Sequence, residues 1–221
     1  ATYVDFIIAE GNSEQTFSIT KNGIIFNRKR FDRERKSHYE LYIKSRILNS
    51  KLETFWNVKI EILDENDHYP TFSNVNPGTM IVDLKVRENL SSGTQIFKPD
   101  VIDLDSGSNG EVLFELKQYS TYENTKNEIP FSIDPKSGQI TLTRSLDYET
   151  GEHNVRAYIR ASDSGEPFRL QSQILLNVSL TDVNDHRPLF DRQNCTIFLP
   201  LTTIPNTEVM QLSAFDPDTE S

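Results

Sequence analysis

A short acidic phrase that occurs twice constrains this chain more than any other feature. Residues 64–72 and residues 182–190 both follow the pattern D-x-N-D-H-x-P-x-F, and the two copies begin 118 residues apart. Hard oxygen ligands packed this closely repel one another unless a cation lies among them, and such ligands suit calcium. The proline fixes its own φ and stiffens the exit from the acidic cluster. We therefore interpret each copy as a calcium-binding joint, and we name them the first joint (residues 64–68) and the second joint (residues 182–186).

The spacing of the two joints predicts the domain organisation. A separation of 118 residues is close to the size of an Ig-like sandwich, which is roughly 100 residues. The 63 residues before the first phrase and the 31 after the second are each too few for another full copy. We predict the C-terminal part of one repeat over residues 1–68, a complete repeat over residues 69–186 and the N-terminal part of a further repeat over residues 187–221. The chain is then expected to be a piece of a longer array.

Alternation of apolar and polar residues predicts β-strands, and no stretch shows a convincing helical period. In the first part the predicted strands begin at residues 3, 17, 24, 39 and 56, with a hairpin turn at residues 21–23. In the complete repeat, residues 131–140 match this hairpin, and the last strand is expected to turn four side chains inward: Ile174, Leu176, Val178 and Leu180. Many short strands separated by Gly, Pro, Asn and Asp favour an all-β sandwich.

The single tryptophan has two interpretations. Trp56 precedes the first joint by the same distance at which Ile174 precedes the second, on the face of the last strand predicted to turn inward. We therefore expect Trp56 to belong to the core rather than to act as an exposed anchor for a partner.

Composition excludes some functions. The net charge of −10, with 33 acidic residues, argues against a nucleic-acid partner, which needs a basic surface. No window approaches the 18 or so apolar residues of a membrane span, and no signal peptide opens the chain. The one cysteine, Cys195, cannot form a disulfide within the chain, so bound metal is the expected substitute. Sequons at Asn89, Asn177 and Asn194 agree with an extracellular location and N-glycosylation.

Further motifs occur in a fixed order around the joints. They are R-E-N at residues 87–89, D-x-D-x-G-x-N-G at 103–110, F-x-I-D-x-x-x-G-x-I at 131–140 and L-D-x-E at 146–149, partly repeated at 17–34 and 206–218. In this order and spacing the chain resembles extracellular cadherin repeats over its whole length. The resemblance implies tandem Ig-like Greek-key β-sandwich repeats joined by calcium-binding linkers, with about three calcium ions at each complete joint.

The resemblance also assigns calcium ligands residue by residue. For the first joint they are Asp32 and Glu34 from the repeat above, Asp64, Asn66 and Asp67 with the backbone oxygens of Glu65 and His68 from the linker, and Asp103, Asp105, the backbone of Asn109, and Asp163 from below. For the second joint they are Glu88, Asp147 and Glu149 from above, Asp182, Asn184, Asp185 and His186 from the linker, and Asp216 and Asp218 from below. Zinc on the two histidines is disfavoured because the neighbouring ligands are oxygens and no thiol joins them.

Three departures from the family pattern lead to further expectations. The glutamate expected above the first joint would lie before Ala1, so we expect that site to be incomplete. Ile47 falls near the position of Asp163, which predicts a missing ligand for any joint above the first repeat. Leu201 falls at the position of Glu88, which predicts an impaired joint below the third.

The function implied by the resemblance is calcium-dependent cell–cell adhesion by a receptor ectodomain. Its partner would be another cadherin, homophilic or heterophilic, on an apposed cell, with membrane attachment through a segment outside this chain. One alternative is a cadherin-like ectodomain for signalling, planar polarity or mechanical tethering. A remote alternative is a secreted calcium-dependent hydrolase.

Several residues admit enzymatic or binding roles that we disfavour. The pairs Asp32/Glu34 and Asp147/Glu149 could be glycosidase carboxylates, but their recurrence in each repeat favours ligands, and we expect no enzyme. Cys195 shows no His–Asp arrangement around it, which argues against a nucleophile. The basic run over residues 28–36 is interpreted as a solvated edge, with a partner-binding patch as the alternative.

Overall fold

The computed structural model describes residues 4–47, 51–76, 78–119, 129–151, 153–192 and 194–218. Within these ranges all regular secondary structure is β-strand, which confirms the predicted all-β class. In chain order the strands are β1 (Val4–Glu10), β2 (Phe17–Ile19), β3 (Ile25–Asn27), β4 (His38–Ile47), β5 (Glu53–Glu61), β6 (Thr71–Phe72), β7 (Ile81–Arg87), β8 (Gln95–Phe97), β9 (Val101–Ile102), β10 (Leu113–Gln118), β11 (Phe131–Ile133), β12 (Ile140–Leu142), β13 (Asn154–Ser162), β14 (Gln171–Thr181), β15 (Leu189–Phe190) and β16 (Ala214–Phe215). Over the same ranges, no helix is long and apolar enough to cross a membrane.

The chain forms two compact units. Unit 1 comprises residues 1–69, 103–111 and 163–170, and unit 2 comprises residues 70–102, 112–162 and 171–221. Unit 1 thus contains the first joint together with two loops that the sequence assigns to the complete repeat. Unit 2 contains the second joint. These units are defined by spatial contacts, and the repeat boundaries at residues 68 and 186 remain a prediction.

Unit 2 contains the larger sheets. One has four strands in the order β10-β13-β14-β7, and another has three in the order β11-β12-β8. β14 is antiparallel to β13 and parallel to β7, so that Leu176 lies opposite both Ala157 and Val82. Strands of both sheets contribute side chains to one buried cluster, including Ile140 and Leu142 from one and Ile159 from the other. A core shared by two sheets is the arrangement expected of a β-sandwich.

The period-two pattern of β14 explains how this core forms. Successive side chains of a strand point to opposite faces of the sheet. The four side chains predicted to point inward are all buried, with exposed fractions of 7% or less: Ile174, Leu176, Val178 and Leu180. The prediction for this strand is therefore confirmed.

A β-hairpin with the same construction occurs in each unit. β2 pairs with β3 in unit 1, and β11 pairs with β12 in unit 2. Gly23 and Gly138 occupy their turns at φ values of +81° and +72°, which favour glycine. A Cβ atom at Gly138 would lie 3.1 Å from the ring of Phe114, and one at Gly23 would lie 3.4 Å from the ring of Phe6. The predicted hairpin equivalence is thus confirmed.

Unit 1 has a smaller core. Its sheet has the order β1-β4-β5, and β4 buries Tyr39, Leu41 and Ile43 on one face. The ring of Phe17 contacts that of Tyr39 edge-on, with centroids 5.0 Å apart, and Phe31 packs beside both rings. This aromatic cluster joins the hairpin to the sheet.

The expectation that Trp56 lies in the core is wrong. Its side chain is 71% exposed, whereas that of Ile174 is 1% exposed. The difference arises because the second sheet of unit 2 covers Ile174, while the apolar cluster of unit 1 extends along β5 and the residue after it only to Val58, Ile60 and Ile62. In the described residues of unit 1, the only strands outside the sheet are those of the β2–β3 hairpin, and they leave Trp56 uncovered.

The stretch after the second joint contributes little packing. β15 pairs with β16 through Leu189 opposite Phe215. Most described side chains between them are exposed, including Cys195 and Leu201. The predicted N-terminal part of a further repeat therefore has only this short pairing as regular structure in its described residues.

Truncation of Ile174 and of Trp56 should have different effects on stability, although the two residues hold equivalent positions. Ile174→Ala removes a buried side chain and should lower the free energy of unfolding by about 2–5 kcal/mol. Trp56→Ala should change it by less than about 0.5 kcal/mol, because the indole is mainly in water. Urea unfolding followed by far-UV circular dichroism measures both. Similar losses for the two variants would contradict the assigned burial.

Candidate metal centre

The first joint is connected to the D-x-D-x-G-x-N-G loop by hydrogen bonds to Asp64. Its Oδ1 accepts from the backbone N–H of Ser106 at 3.0 Å, and its Oδ2 accepts from Nδ2 of Asn109 at 2.8 Å. Burial raises the pKa of Asp64, but these hydrogen bonds and the positive charge of Arg33 outweigh that effect and lower it. Asp64 is therefore held as a carboxylate that faces the loop.

A buried carboxylate lies at the centre of the first joint. The side chain of Asp105 is fully buried, and its Oδ2 accepts the backbone N–H of His68 at 3.0 Å. Nδ1 of His68 lies 3.0 Å from Oδ1 of the same carboxylate. The backbone N–H of Asp105 in turn donates to Oδ1 of Asp103 at 3.1 Å. These contacts orient two of the predicted ligands from below toward the linker.

The loop after β13 adds a second buried acid to this joint. Asp163 is 0% exposed and accepts the backbone N–H groups of Gly165 at 2.9 Å and Leu170 at 2.8 Å. A Cβ atom at Gly165 would lie only 2.2 Å from Nδ2 of Asn66, so a larger residue here would displace the Asn66 side chain. Asn66 donates to the carbonyl oxygen of Phe168 at 2.9 Å. The loop is thereby packed directly on the linker.

The predicted ligands from above the first joint lie in one turn. Oδ1 of Asp32 accepts the backbone N–H of Arg35 at 2.9 Å, which shapes the turn. Glu34, His68 and Asp105 each offer one ligand atom, and these three atoms lie within 4.8 Å of one another. Two other predicted ligands of the linker, Glu65 and Asp67, are exposed. The carbonyl oxygen of Glu65 accepts the N–H of Asp67 at 3.0 Å.

The second joint contains a buried glutamate at its upper side. Glu88 is 3% exposed, and its oxygens accept the backbone N–H groups of Tyr148 at 2.7 Å and Val183 at 2.6 Å. Ligand atoms of Glu88, Glu149 and Asp182 lie within 4.8 Å of one another. The buried carboxylate of Glu88, which follows β7, thus contacts both the L-D-x-E turn and the linker.

The lower side of the second joint repeats the geometry of the first. The backbone N–H of His186 donates to Oδ2 of Asp218 at 2.9 Å, and its Nδ1 lies 3.0 Å from Oδ1. The N–H of Asp218 donates to Oδ1 of Asp216 at 3.2 Å. Glu149, Asp185, His186 and Asp218 form a second group with ligand atoms within 4.8 Å.

Two predicted ligands of the second joint are placed without such enclosure. Asp147 is exposed, and its Oδ1 accepts the backbone N–H of Thr150 at 3.0 Å. Asn184 is exposed in the linker. Asp147 and Asn184 are close in sequence to Glu149, Asp182 and Asp185, which supply ligand atoms to the two groups described above.

The electrostatics of both joints favour a bound cation. Burial, followed by the charges of Asp105 and Asp163, raises the pKa of Asp103. Burial and the neighbouring Glu88 carboxylate raise the pKa of Glu149. Oδ2 of Asp103 is buried with no hydrogen-bond partner among the described residues. A cation beside these groups would stabilise their charged forms.

The imidazole rings of His68 and His186 contact carboxylates of the joints, which the sequence did not indicate. Burial lowers the pKa of His68, but its hydrogen bonds to Asp105 and Asp67 and their charges outweigh burial and raise it. The pKa of His186 is raised in the same way by Asp218 and Asp185. The rings therefore face the carboxylates, although the resemblance assigns only the histidine backbone to metal binding.

Arg33 is a further contact of the first joint that the sequence did not reveal. Its Nε lies 2.5 Å from Oδ1 of Asp64, and its Nη2 lies 2.6 Å from Oε1 of Glu34. Nη2 also donates to the carbonyl oxygen of Leu104 at 3.1 Å. The equivalent residue in the second joint is Tyr148, whose ring stacks on His153 with centroids 4.2 Å apart. An internal cation is therefore present in one joint and replaced by a neutral residue in the other.

The chemistry of these clusters suits a bound metal ion. Carboxylate and amide oxygens converge from a linker, a turn and loops, which are the ligands preferred by calcium. The donors are mainly oxygens without a thiolate, which disfavours a zinc site. The class of protein defined by fold and site is an all-β chain of sandwich repeats with acidic, metal-suited joints.

Comparison with known proteins identifies the family. The family model described as "Cadherin domain" matches residues 83–181. The chain is 34% identical over 215 residues to the Fat-like cadherin-related tumor suppressor homolog of Drosophila melanogaster, covering 96% of this chain and 4% of that protein. It is 34% identical over 218 residues to human Protocadherin Fat 4, covering 97% of this chain and 4% of that protein. The chain belongs to the cadherin superfamily and consists of extracellular cadherin repeats.

Solved structures agree on the fold. The crystal structure of human CDH23 EC21-23 superposes with a TM-score of 0.81 at 23% identity, covering 99% of this chain and 70% of that chain. The human Desmocollin-1 ectodomain gives a TM-score of 0.69 at 25% identity, covering 98% and 40%. These similarities confirm the predicted cadherin-type β-sandwich.

The comparisons also restrict the function. The relatives are cadherin adhesion proteins rather than enzymes, and nothing in them supports the hydrolase alternative. Cadherin domains bind calcium in general, in agreement with the ligand chemistry of the joints. The chain spans 4–6% of the length of the curated relatives that it matches.

Arg33 should stabilise the first joint when calcium is absent. In chelator, Arg33→Gln removes the contacts to Asp64, Glu34 and Leu104, and should raise the open population of the linker about fivefold, since partly buried ion pairs contribute about 1 kcal/mol. The readout is the cleavage rate after Leu63 and Tyr69, which are 84% and 59% exposed, by a protease specific for such residues.

The matched control for this prediction is Arg35→Gln. It removes the same charge from a side chain that is 73% exposed and lies 3.6 Å from Glu14. Its cleavage rate should equal that of the unchanged chain. Equal rates for both variants would show that Arg33 is only a solvated cation.

Proposed function

We propose that this chain is a segment of a cadherin-type adhesion or signalling ectodomain in which calcium fixes consecutive repeats at the two joints. One observation carries the proposal: both joints contain the same set of hydrogen bonds. In each, a linker histidine donates its N–H to a buried aspartate, and that aspartate donates its own N–H to the aspartate two residues earlier. The recurrence of this arrangement at two sites 118 residues apart supports a common role for the two joints.

The proposed ligands are those that the family resemblance assigns, with about three calcium ions at each complete joint. For the first joint we propose Asp32, Glu34, Asp64, Glu65, Asn66, Asp67, His68, Asp103, Asp105, Asn109 and Asp163. For the second joint we propose Glu88, Asp147, Glu149, Asp182, Asn184, Asp185, His186, Asp216 and Asp218. The domain division at residues 68 and 186 belongs to the same proposal, because each boundary falls within a joint.

The residues of each joint prepare the site by orientation. Backbone N–H groups hold the carboxylates of Asp105, Asp163 and Glu88 in fixed positions, which leaves further lone pairs directed into the cluster. Bound calcium supplies the positive charge that offsets repulsion among these acids. The apolar core of unit 2 is separate from these groups and is expected to persist in their absence.

Adhesion to another cadherin on an apposed cell is the partner relation that we propose. The relatives of this chain include Fat-type cadherins and Protein dachsous of Drosophila melanogaster, which is 30% identical over 217 residues. The partner can therefore be a like or an unlike cadherin. The second candidate function is signalling, planar polarity or tethering without homophilic adhesion.

Bead aggregation distinguishes the two candidate functions. Beads coated with the complete ectodomain that contains this chain should aggregate in calcium and disperse in chelator if adhesion is homophilic. Aggregation only when beads carry two different cadherins would support a heterophilic receptor. Beads that fail to aggregate with any cadherin partner would exclude adhesion and favour the second candidate.

The proposed location is the extracellular side of the plasma membrane, with attachment through a segment outside this chain. N-glycosylation is proposed at Asn194, which is exposed. Asn177 is a less favourable acceptor because its Nδ2 donates to Asp83 at 2.7 Å and its Oδ1 accepts from Arg156 at 3.2 Å. Asn89 contacts the carboxylate of Asp185 in the second joint, so a glycan there would compete with the joint.

Calcium titration tests the ligand assignment directly. Asp105→Ala or Asp103→Ala should weaken calcium binding at the first joint by at least about tenfold from an affinity of about 10⁻⁴–10⁻³ M. His68→Ala should have a much smaller effect, because this position is proposed to bind through its backbone carbonyl. Titration calorimetry provides the affinities, and circular dichroism verifies the fold. Equal affinities for the aspartate and histidine variants would contradict the assignment.

A further inference from the structure

The turn between β3 and β4 carries a cationic patch that the joints do not use. We define the basic turn as Arg28, Lys29, Arg30, Arg35 and Lys36. These five cations fall within nine residues of a chain whose net charge is −10. Arg33, in the same stretch, points instead to the first joint, where it contacts Asp64 and Glu34.

The fold does not require this charge, because unit 2 forms the same turn without it. The N–H of Arg28 donates to the carbonyl of Thr16 at 2.7 Å, and the N–H of Thr143 donates to that of Pro130 at 2.9 Å. A second shared bond closes each turn, from Arg35 to Asp32 at 2.9 Å and from Thr150 to Asp147 at 3.0 Å. The residues equivalent to the basic turn are Thr143, Arg144, Ser145, Thr150 and Gly151, which carry one charge.

The cations of the basic turn are available to a ligand. Arg28 and Arg30 are exposed, and neither has an acidic partner among the described residues. Arg35 is 73% exposed and lies 3.6 Å from Glu14. Lys29, Arg30, Arg35 and Lys36 line a shallow concavity of about 210 Å³ together with the acidic residues Glu14 and Asp32. Nζ of Lys29 donates to the carbonyl oxygen of Glu14 at 2.5 Å, and Nζ of Lys36 lies 4.4 Å from the centre of the Tyr39 ring. The charges of Arg28 and Arg30 are therefore the ones presented to solvent without a neutralising partner, and the concavity keeps four cations against two acids.

The surface fits a charged polymer better than a folded protein. The only apolar side chain within residues 28–36 is Phe31, and its ring packs against Phe17 and Tyr39 at 5.7 and 5.9 Å. Phe31 is only 37% exposed, so the turn offers much less of the apolar anchor on which most protein interfaces depend than of positive charge. Guanidinium groups pair bidentately with tetrahedral oxyanions, and neighbouring cations can engage successive charges of one polyanion.

We propose that the basic turn binds a sulfated glycosaminoglycan chain. Such a polymer presents repeated sulfate and carboxylate groups on the extracellular side of the membrane, where cadherin repeats lie. The shallow concavity accepts one charged group, while the exposed arginines on the same turn bind its neighbours along the polymer. This binding surface shares only Asp32 with the proposed calcium ligands, because Asp32 also lines the concavity, and it adds a second ligand to the ectodomain.

The test measures binding of heparin at constant, saturating calcium. Arg28→Thr with Arg30→Ser installs the residues of the equivalent turn of unit 2 and preserves both shared backbone bonds. The double variant should bind heparin on the order of tenfold more weakly, because it loses two cations. The slope of log affinity against log salt should fall by about 1.4, at roughly 0.7 for each lost contact with a single-stranded polyanion.

A gain-of-function variant supplies the matched control. Thr143→Arg with Ser145→Arg transfers the two arginines to unit 2 and should restore part of the heparin affinity in the double-variant background, because unit 2 has Thr150 and Gly151 where the basic turn has Arg35 and Lys36. Heparin binding that is equal in the unchanged chain and in Arg28→Thr/Arg30→Ser would overturn the proposal. The proposal would also be overturned if the unchanged chain bound no heparin. In that case, loss of salt-dependent self-association or of binding to phosphatidylserine vesicles in the double variant would assign the basic turn to another ligand. The calcium affinities of these variants should equal those of the unchanged chain. Failure of heparin binding is therefore distinguishable from failure of the proposed function.

Discussion

The structure of both joints depends on carboxylates that are buried together. Removal of an ionised carboxylate from water costs several kcal/mol unless it is paired and hydrogen-bonded. The side chains of Asp105 and Asp218 are fully buried, and each accepts a backbone N–H from a linker histidine. Neighbouring acids remain close enough for burial and mutual repulsion to raise the pKa values of Asp103 and Glu149. Order in the joints is therefore conditional on positive charge, whereas order in the apolar cores is not.

The two joints obtain positive charge in different ways. In the first joint, the guanidinium of Arg33 lies between Asp64 and Glu34. In the second joint, the equivalent Tyr148 stacks on His153, and its backbone N–H is bonded to Glu88. The first joint thus has a permanent internal cation, and we expect the second to rely more on its histidine and on the proposed calcium. The same sequence framework can in this way give neighbouring joints different dependence on calcium.

Much of this organisation could be predicted from the sequence because it depends on local patterns. The alternation in β14 and the glycine turns of the two hairpins are short-range signals, and the structure confirms them. The acidic phrases predicted the linkers, whose bounds stay a prediction, and the repeated motifs identified the family. The exposure of Trp56 could not be predicted, because it depends on which strands cover β5 rather than on its own periodicity.

Side-chain contacts across the joints were also beyond the sequence. The spacing of the motifs does not reveal that Arg33 reaches Asp64, or that the His68 and His186 rings turn toward carboxylates 37 and 32 residues away. The basic turn was interpreted as a solvated edge because a run of charge does not indicate its surroundings. The structure shows that the equivalent turn in unit 2 keeps the same backbone bonds with one cation, which separates the charge from the needs of the fold.

Small-angle X-ray scattering of the chain in saturating calcium and in chelator tests the central claim most directly. If buried carboxylates make the joints conditional on a cation, chelation should broaden the distribution of interatomic distances. The far-UV circular dichroism of the sandwich should remain largely unchanged. An identical scattering curve in both conditions would contradict the account.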